Sequence, residues 1–243
     1  MIQDFFTALQ FLTRLQFVTQ TTWSPESFGR SVKYFPVVGA VIGIILAVIA
    51  HISAPYVPPA VLAAGLIALE IMLTGGLHGD GLMDTADGIF SGRSQERMLE
   101  IMKDSRTGAN GVMAFCLVAL MKWSLLMELA APTRTAALLI MPVISRFAMV
   151  AGITLFPYAR PEGIGKAFAQ YAGKKAFVFA GVMTVMAVAV CGQAAWISLG
   201  AALLFVLLFG SYVKKLLGGL TGDVYGAITE ISNLVILAVY LMV

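Results

Sequence analysis

Seven apolar stretches, at roughly 37–53, 60–77, 111–131, 136–156, 176–192, 195–213 and 228–243, occupy most of this chain. A helix that crosses the hydrocarbon core of a bilayer needs about 20 apolar residues, with a range of roughly 17–25. The chain has 243 residues, of which 59% are hydrophobic and 12% charged. Soluble domains carry about 25% charged residues, so a surface this poor in charge cannot face water all round. The expected fold is all-α: a polytopic integral membrane protein with about seven transmembrane helices, within a range of six to eight. The last run is the least regular, because it opens with Glu230, Ser232 and Asn233.

Residues 1–18 place Ile2, Phe5, Phe6, Leu9, Leu12 and Leu15 at helical spacing, with Asp4, Thr7, Gln10, Thr13 and Arg14 elsewhere. That pattern predicts an amphipathic helix suited to the membrane interface, joined by a polar and aromatic connector that ends at Pro36. No cleavable signal is expected, since Asp4 comes early and no basic stretch precedes the apolar residues. Cys116 and Cys191 each lie in apolar runs and read as packing.

Loop charge tests this partition. Residues 1–36, 78–110, 157–175 and 214–227 hold 13 of the 16 Lys and Arg residues, while the opposite loops hold only Arg134, and Lys122 and Arg146 fall inside spans. The bias of basic residues toward the inner face then puts the N-terminus and the charged loops in the cytoplasm. The net charge of +3 is spread over these loops, so nucleic acid is not an expected partner. Membrane lipids are. No repeat or separate soluble domain is visible, so residues 1–243 are expected to form a single membrane-embedded catalytic domain. Its parts would be an interfacial helix and connector (1–36), a cytoplasmic catalytic segment (78–110) and a second active-site segment (214–230).

Charge concentrates in residues 74–111, TGGLHGDGLMDTADGIFSGRSQERMLEIMKDSRTGANG. Asp80, Asp84 and Asp87 are spaced i, i+4, i+7 and share one helical face. Like charges so placed repel, and a hard divalent cation such as Mg²⁺ or Mn²⁺ removes the conflict. The glycines around them, Gly75, Gly76, Gly79, Gly81 and Gly88, allow close approach of backbone or ligand. A second helix is expected downstream with Ser94 as its N-cap. Arg93, Arg97, Lys103 and Arg106 supply cations for phosphate, alongside Asp104, though salt bridging within this helix explains some of them equally well. Acidic metal ligands with Arg and Lys are the equipment of phosphoryl transfer. No Walker A loop is present, which argues against a soluble-type NTPase.

Other polar residues lie near the same membrane face. Asp223 and Glu230, seven apart in residues 217–231 (LGGLTGDVYGAITEI), are candidates for a substrate or metal role, although Thr221 or Asp223 also suits a helix cap. Arg146 sits within a span, where a charge faces the protein interior or a watery cavity. It reads either as a substrate contact or as a partner of Glu70 or Glu128. His78 precedes the aspartates by two and is a candidate for metal or phosphate. Residues 158–175 read as a solvated or lipid-contacting loop.

The stretch GGLHGDGLMDTADGIFSGRSQERMLEIMKDSRTGANG (75–111) closely resembles the signature region of adenosylcobinamide-GDP ribazoletransferases, the cobalamin synthases. FLTRLQF (11–17), YFPVVGAVIG (34–43), ISR (144–146) and LGGLTGDVYGAITEI extend the likeness over essentially the whole chain. It implies a polytopic enzyme of late vitamin B12 assembly in the cytoplasmic (inner) membrane of a prokaryote. Such enzymes join adenosylcobinamide-GDP to α-ribazole or its 5′-phosphate, with Mg²⁺ required and GMP released. Asp80, Asp84 and Asp87 would hold the metal. Asp104 would belong to the catalytic set, and His78, Gly88, Arg93, Arg97, Lys103, Arg106, Arg146, Asp223 and Glu230 would contact substrate. A weaker likeness runs to CDP-alcohol phosphotransferases, with the signature D-x2-D-G-x2-A-R-x8-G-x3-D-x3-D. Asp84, Asp87 and Gly88 match its start, whereas Ser91 replaces Ala and Arg93 falls one place late. The residues leave a homo-oligomer open. The alternative activity is a secondary transporter that uses acidic ion-coupling residues, for which Glu70, Lys122, Glu128 and Arg146 within spans would speak.

Overall fold

A computed structural model describes residues 2–18 and 23–243; residues 19–22 of the expected connector lie outside the described residues. The first elements are α1 (Ile2–Leu12), α2 (Pro25–Ser31), a 3₁₀ turn (Val32–Tyr34), α3 (Phe35–Ser53), α4 (Pro59–Thr74), α5 (Leu77–Ile89) and α6 (Gln95–Ile101). Then come α7 (Ala109–Glu128), α8 (Ala131–Leu155), α9 (Ile164–Tyr171), α10 (Gly173–Ala189), α11 (Gln193–Leu217) and α12 (Gly222–Met242). The described residues contain no strand, only an isolated bridge between Tyr158 and Leu220.

Five segments are long and apolar enough to span a membrane: Pro25–Ser53, α7, α8, α11 and α12. The count reaches seven if two bent pairs, α4 with α5 and α9 with α10, each make one crossing. The chain is thus the polytopic all-α membrane protein expected. Where the apolar run 60–77 predicts an uninterrupted helix, the chain instead turns by 92° between α4 and α5. Gly75 (φ +64°) and Gly76 (φ +73°) make that corner, in a left-handed conformation that costs a side-chain-bearing residue energy.

The centre of the bundle is α8, buried along almost its whole length and packed against α3, α10, α11 and α12. Its closest neighbour is α3, where Gly39 and Gly43 lie one turn apart. A Cβ on Gly39 would sit 2.2 Å from the Pro142 carbonyl oxygen, and one on Gly43 2.3 Å from that of Leu139. Small residues at this spacing let two backbones meet in a bilayer, where the hydrophobic effect cannot drive helices together.

Helix α1 ends at Leu12, short of the expected 18. Its face is not simply apolar toward lipid: Ala8, Leu9 and Leu12 are buried against the bundle, and Phe11 contacts Phe28, Phe35 and Phe168. Asp4 is buried on the same face and pairs with Arg30 (3.3 Å) and Lys33 (3.1 Å). Burial opposes its charge, and Lys33 and Arg30 outweigh that cost, holding the carboxyl below its usual range. Helix α2 starts on Ser24, whose side chain accepts from the Ser27 backbone N–H while Ser27 Oγ accepts from that of Ser24, a reciprocal cap that fixes the entry of the first span.

Candidate active site

Helix α5 carries the three aspartates, and two glycine contacts determine where it lies. A Cβ on Gly81 would be 2.7 Å from the Asp223 carbonyl oxygen, and one on Gly226 would be 3.0 Å from that of His78. The start of α5 therefore crosses the start of α12 backbone to backbone, which brings Asp223 beside Asp80 and Asp84. The electrostatic neighbours of Asp84 are Asp223, Asp80, Arg160 and Asp87: three carboxylates and one cation.

Arg160 reaches this cluster through a clasp between two loops. The Ala159 N–H donates to the Leu220 carbonyl and the Leu220 N–H to that of Pro157, both at 2.8 Å. This fixes residues 157–160 alongside residues 218–222. Arg160 Nη2 then lies 2.7 Å from Asp223 Oδ2, with both side chains mostly buried. Thr221 caps α12 by accepting from the Val224 N–H, and its hydroxyl also donates to Asp223.

Two cavities meet at Asp80, which is exposed and lines both. The larger, about 530 Å³, lies between α1, α4, α5 and α7, with Arg14 at its α1 wall and Glu70, Lys122 and Glu230 among its lining residues. Arg14 is held there from two sides. Its N–H donates to the Leu73 carbonyl at 2.7 Å, and its guanidinium occupies the space that a Cβ on Gly75 would need. The smaller cavity, about 180 Å³, is lined by His78, Asp80, Gly81, Asp223 and Tyr225, with Phe11 and Phe168 from α1 and α9. His78 Nε2 and the Tyr225 hydroxyl are buried and lack a partner among the described residues. Buried polar atoms are rarely left so.

Asp87 differs from Asp80 and Asp84. Its oxygens accept from the backbone N–H of Gly108 (2.6 Å) and of Gly111 (2.8 Å), so this carboxylate caps the N-terminus of α7 and is buried there. A Cβ on either glycine would come within 2.5 Å of it. Gly88 likewise makes room for protein, since the Met102 side chain fills its open position. Among the described residues no group of three or more His, Cys, Asp or Glu is drawn together tightly enough to hold a metal ion.

The basic residues of 93–106 do not pair with these aspartates. The Ser94 cap of α6 forms as expected, through a 3.5 Å bond from the Arg97 N–H. Arg97 pairs with Glu100 (2.7 Å) and Arg106 with Asp104 (2.7 Å), all on exposed or half-exposed side chains. Hydrogen bonds from Arg106 hold the Asp104 carboxyl at about 2. Arg93 and Lys103 are exposed and make no ion pair among the described residues.

Arg146 is fully buried, 3.9 Å from Glu70 and hydrogen-bonded to Ser145 Oγ. Lys122 Nζ donates to Glu70 and to Glu230, each at 3.0 Å, and Asn233 Nδ2 donates to the other oxygen of Glu70 at 3.2 Å. The four ionised groups are neutral in sum, and the exposed Glu128 is not among them. Glu230 thus reaches the larger cavity as a member of a buried network. Sequence reasoning missed Arg160, Arg14 and Lys122 as site residues. The FLTRLQF segment around Arg14 was the only hint of the second.

Bent helix pairs, with carboxylates, an arginine and two adjoining cavities beside the corner between α4 and α5, make this a polytopic membrane protein with a charged site at one end of the bundle. The chain matches the family described as cobalamin-5-phosphate synthase over residues 4–241, and it belongs to that family. It is 42% identical to the adenosylcobinamide-GDP ribazoletransferase of Desulfitobacterium hafniense, over 95% of this chain and 93% of the relative. Its identity to the protein of the same name from Desulforamulus reducens is 43%, over 92% and 90%. With that from Fusobacterium nucleatum it is 36%, over 100% and 98%. No solved structure matches the chain. The transporter expectation gives way to a transferase of cobalamin synthesis.

Proposed function

We infer that this chain joins adenosylcobinamide-GDP to α-ribazole or α-ribazole 5′-phosphate at Asp80, where the two cavities adjoin. The observation that carries this reading is the convergence of Asp80, Asp84 and Asp223 with the single cation Arg160, between one cavity of about 530 Å³ and another of about 180 Å³. A donor and an acceptor can then approach one carboxylate from two directions. A ribose hydroxyl of the acceptor attacks the phosphorus that bears the cobinamide, and the bond from that phosphorus to the oxygen of GMP breaks. When the acceptor already carries phosphate on its 5′ oxygen, the nucleophile is one of its other ribose hydroxyls. The proton of that hydroxyl passes to a carboxylate of the Asp80–Asp84 pair and on to solvent. Arg160 and Arg14 hold diphosphate oxygens, Arg160 by exchanging part of its contact with Asp223.

The donor set fits Mg²⁺ in kind: hard carboxylate oxygens, in excess over cations, on a surface that substrate phosphates can complete. Among the described residues the carboxylates are not drawn together into a three-ligand site, so an ion carried in with the substrate diphosphate would be met by Asp80, Asp84 or Asp223, while Asp87 positions α5 against α7. When bound, the ion would neutralise charge on the diphosphate. The basic loops support a cytoplasmic orientation for this face, on the side of guanine nucleotides, in the inner membrane of a bacterium.

The test is purified protein in detergent with adenosylcobinamide-GDP, α-ribazole 5′-phosphate and Mg²⁺, reading GMP and the joined corrinoid. Equal amounts of both, lost with EDTA and in Asp84→Asn, are expected. Turnover that survives in Asp84→Asn would remove this site, and no turnover by folded wild type would remove the function.

A further inference from the structure

A third concavity lies away from the aspartates, on the same membrane face. It holds about 510 Å³ and is lined by Arg30 and Lys33 near the start of the first span, by Lys174 and Lys175 at the start of α10, and by Tyr171 and Phe179. Two acids stand near it. Asp4 binds Arg30 through Nε and Lys33 through Nζ, and Glu26 hydrogen-bonds Tyr171. Four cations against two carboxylates leave an excess of two positive charges around one cavity. Lys174 and Lys175 make no ion pair among the described residues. They also begin a helix whose N-cap, Ala172, offers no side chain to its first N–H groups, where the helix dipole already disfavours cations.

The surface beneath this cavity is apolar. Lys175, Phe179, Val182 and Met186 follow one another at i, i+4, i+7 and i+11 on α10, and therefore lie on one face. Val182 and Met186 are 50% and 61% exposed, and Val178 beside them is 62% exposed. A basic concavity at the head of a lipid-facing stripe matches a molecule with an anionic head and hydrocarbon tails. Exposed Trp23, stacked on Phe28, and Tyr171 are the aromatic residues found at the depth of lipid headgroups.

We propose that the cavity between Arg30, Lys33, Lys174 and Lys175 binds the phosphate headgroup of one anionic phospholipid, whose acyl chains run down the exposed face of α10. Basic residues near an anionic membrane surface attract its headgroups, and enclosure of the phosphate by three elements adds selectivity over lysines on an open surface.

Native mass spectrometry of the detergent-solubilised full chain tests this with phosphatidylglycerol, with phosphatidylcholine of the same acyl chains, and with inorganic phosphate as competitor. One retained phosphatidylglycerol, at least tenfold preferred over phosphatidylcholine and not displaced by millimolar phosphate, is expected. Lys174→Gln/Lys175→Gln should abolish that preference. Lys214→Gln/Lys215→Gln, an exposed pair on the same face outside the cavity, should preserve it. A melting temperature equal to that of wild type serves as the folding check for both variants. Equal loss in the two variants would reduce the effect to general surface charge and overturn the proposal. So would unchanged retention in Lys174→Gln/Lys175→Gln, or displacement by inorganic phosphate, which would make this a site for a soluble anion.

Discussion

Within α5, Asp84 has Asp223, Asp80 and Asp87 as electrostatic neighbours and Arg160 as the cation among them, whereas Asp87 has a backbone N–H on each oxygen. The two should respond oppositely to loss of charge. Asp84→Asn relieves repulsion, so in Mg²⁺-free detergent its melting temperature should equal or exceed that of wild type, while turnover falls on the order of 10²–10³-fold. Asp87→Ala strips two charge-assisted bonds from the start of α7 and should cost about 1.5–3 kcal/mol of stability. Thermal melts of both variants beside GMP release check the pair, and a destabilised Asp84→Asn would contradict the assignment. Asp104 gives no acid limb to activity in ordinary assays. Its carboxyl is held at about 2, so the Asp104–Arg106 contact is complete above the unfolded value near 3.8 and is lost only as pH falls through about 2. Sequence spacing put Asp80, Asp84 and Asp87 on one face, and that was right. It could not reveal that α7 receives one of them, because periodicity fixes an angle around a helix and says nothing of what packs there. Arg160 was illegible for a related reason: it is 63 positions from Asp223 in sequence, and only the backbone clasp at Leu220 brings them together.

The crossing of α5 and α12 depends on absent side chains. Gly81→Ala would place its Cβ 2.7 Å from the Asp223 carbonyl oxygen, which is backbone and cannot rotate away. Overpacking of this kind costs about 1–3 kcal/mol, and here it would also move Asp223 relative to Asp84. A loss of turnover larger than the loss of stability is expected, read by the same two assays. Gly65→Ala in α4 is the control, since a Cβ there meets nothing within 4 Å; it should be neutral or stabilising by about 0.5–1 kcal/mol. The buried ions connect four helices in a second way. Lys122→Met leaves Glu70 and Glu230 facing Arg146 alone, and breaking a buried pair from one side costs about 3–5 kcal/mol. Adding Glu230→Gln restores one negative to one positive charge, so the double variant should melt higher than Lys122→Met. Failure to recover would mean that Glu230 is not part of that balance. At this scale the spans were legible from apolar run length, and the paired glycines 75 and 76 were noticed. Their use as a corner was not, because left-handed backbone is a property of glycine that composition permits without requiring.

Across the whole molecule, every charged loop falls on the side that carries the aspartates, given one crossing for each bent helix pair. An odd number of crossings separates the ends of the chain: α1 packs at the aspartate face, and α12 runs from Gly222 at that face to Met242 at the other. By the bias of basic residues toward the inner face, the 13 of 16 on the aspartate side would make it the inner one, as proposed above. A fluorescent protein fused after Val243 should therefore stay dark outside the inner membrane, while an alkaline phosphatase fused there should be active. The same two reporters joined before residue 1 should give the reverse result. Were both ends to report the cytoplasm, the shared placement of α1 and of the starts of α5 and α12 at one face would be wrong, and with it the cavities that meet at Asp80.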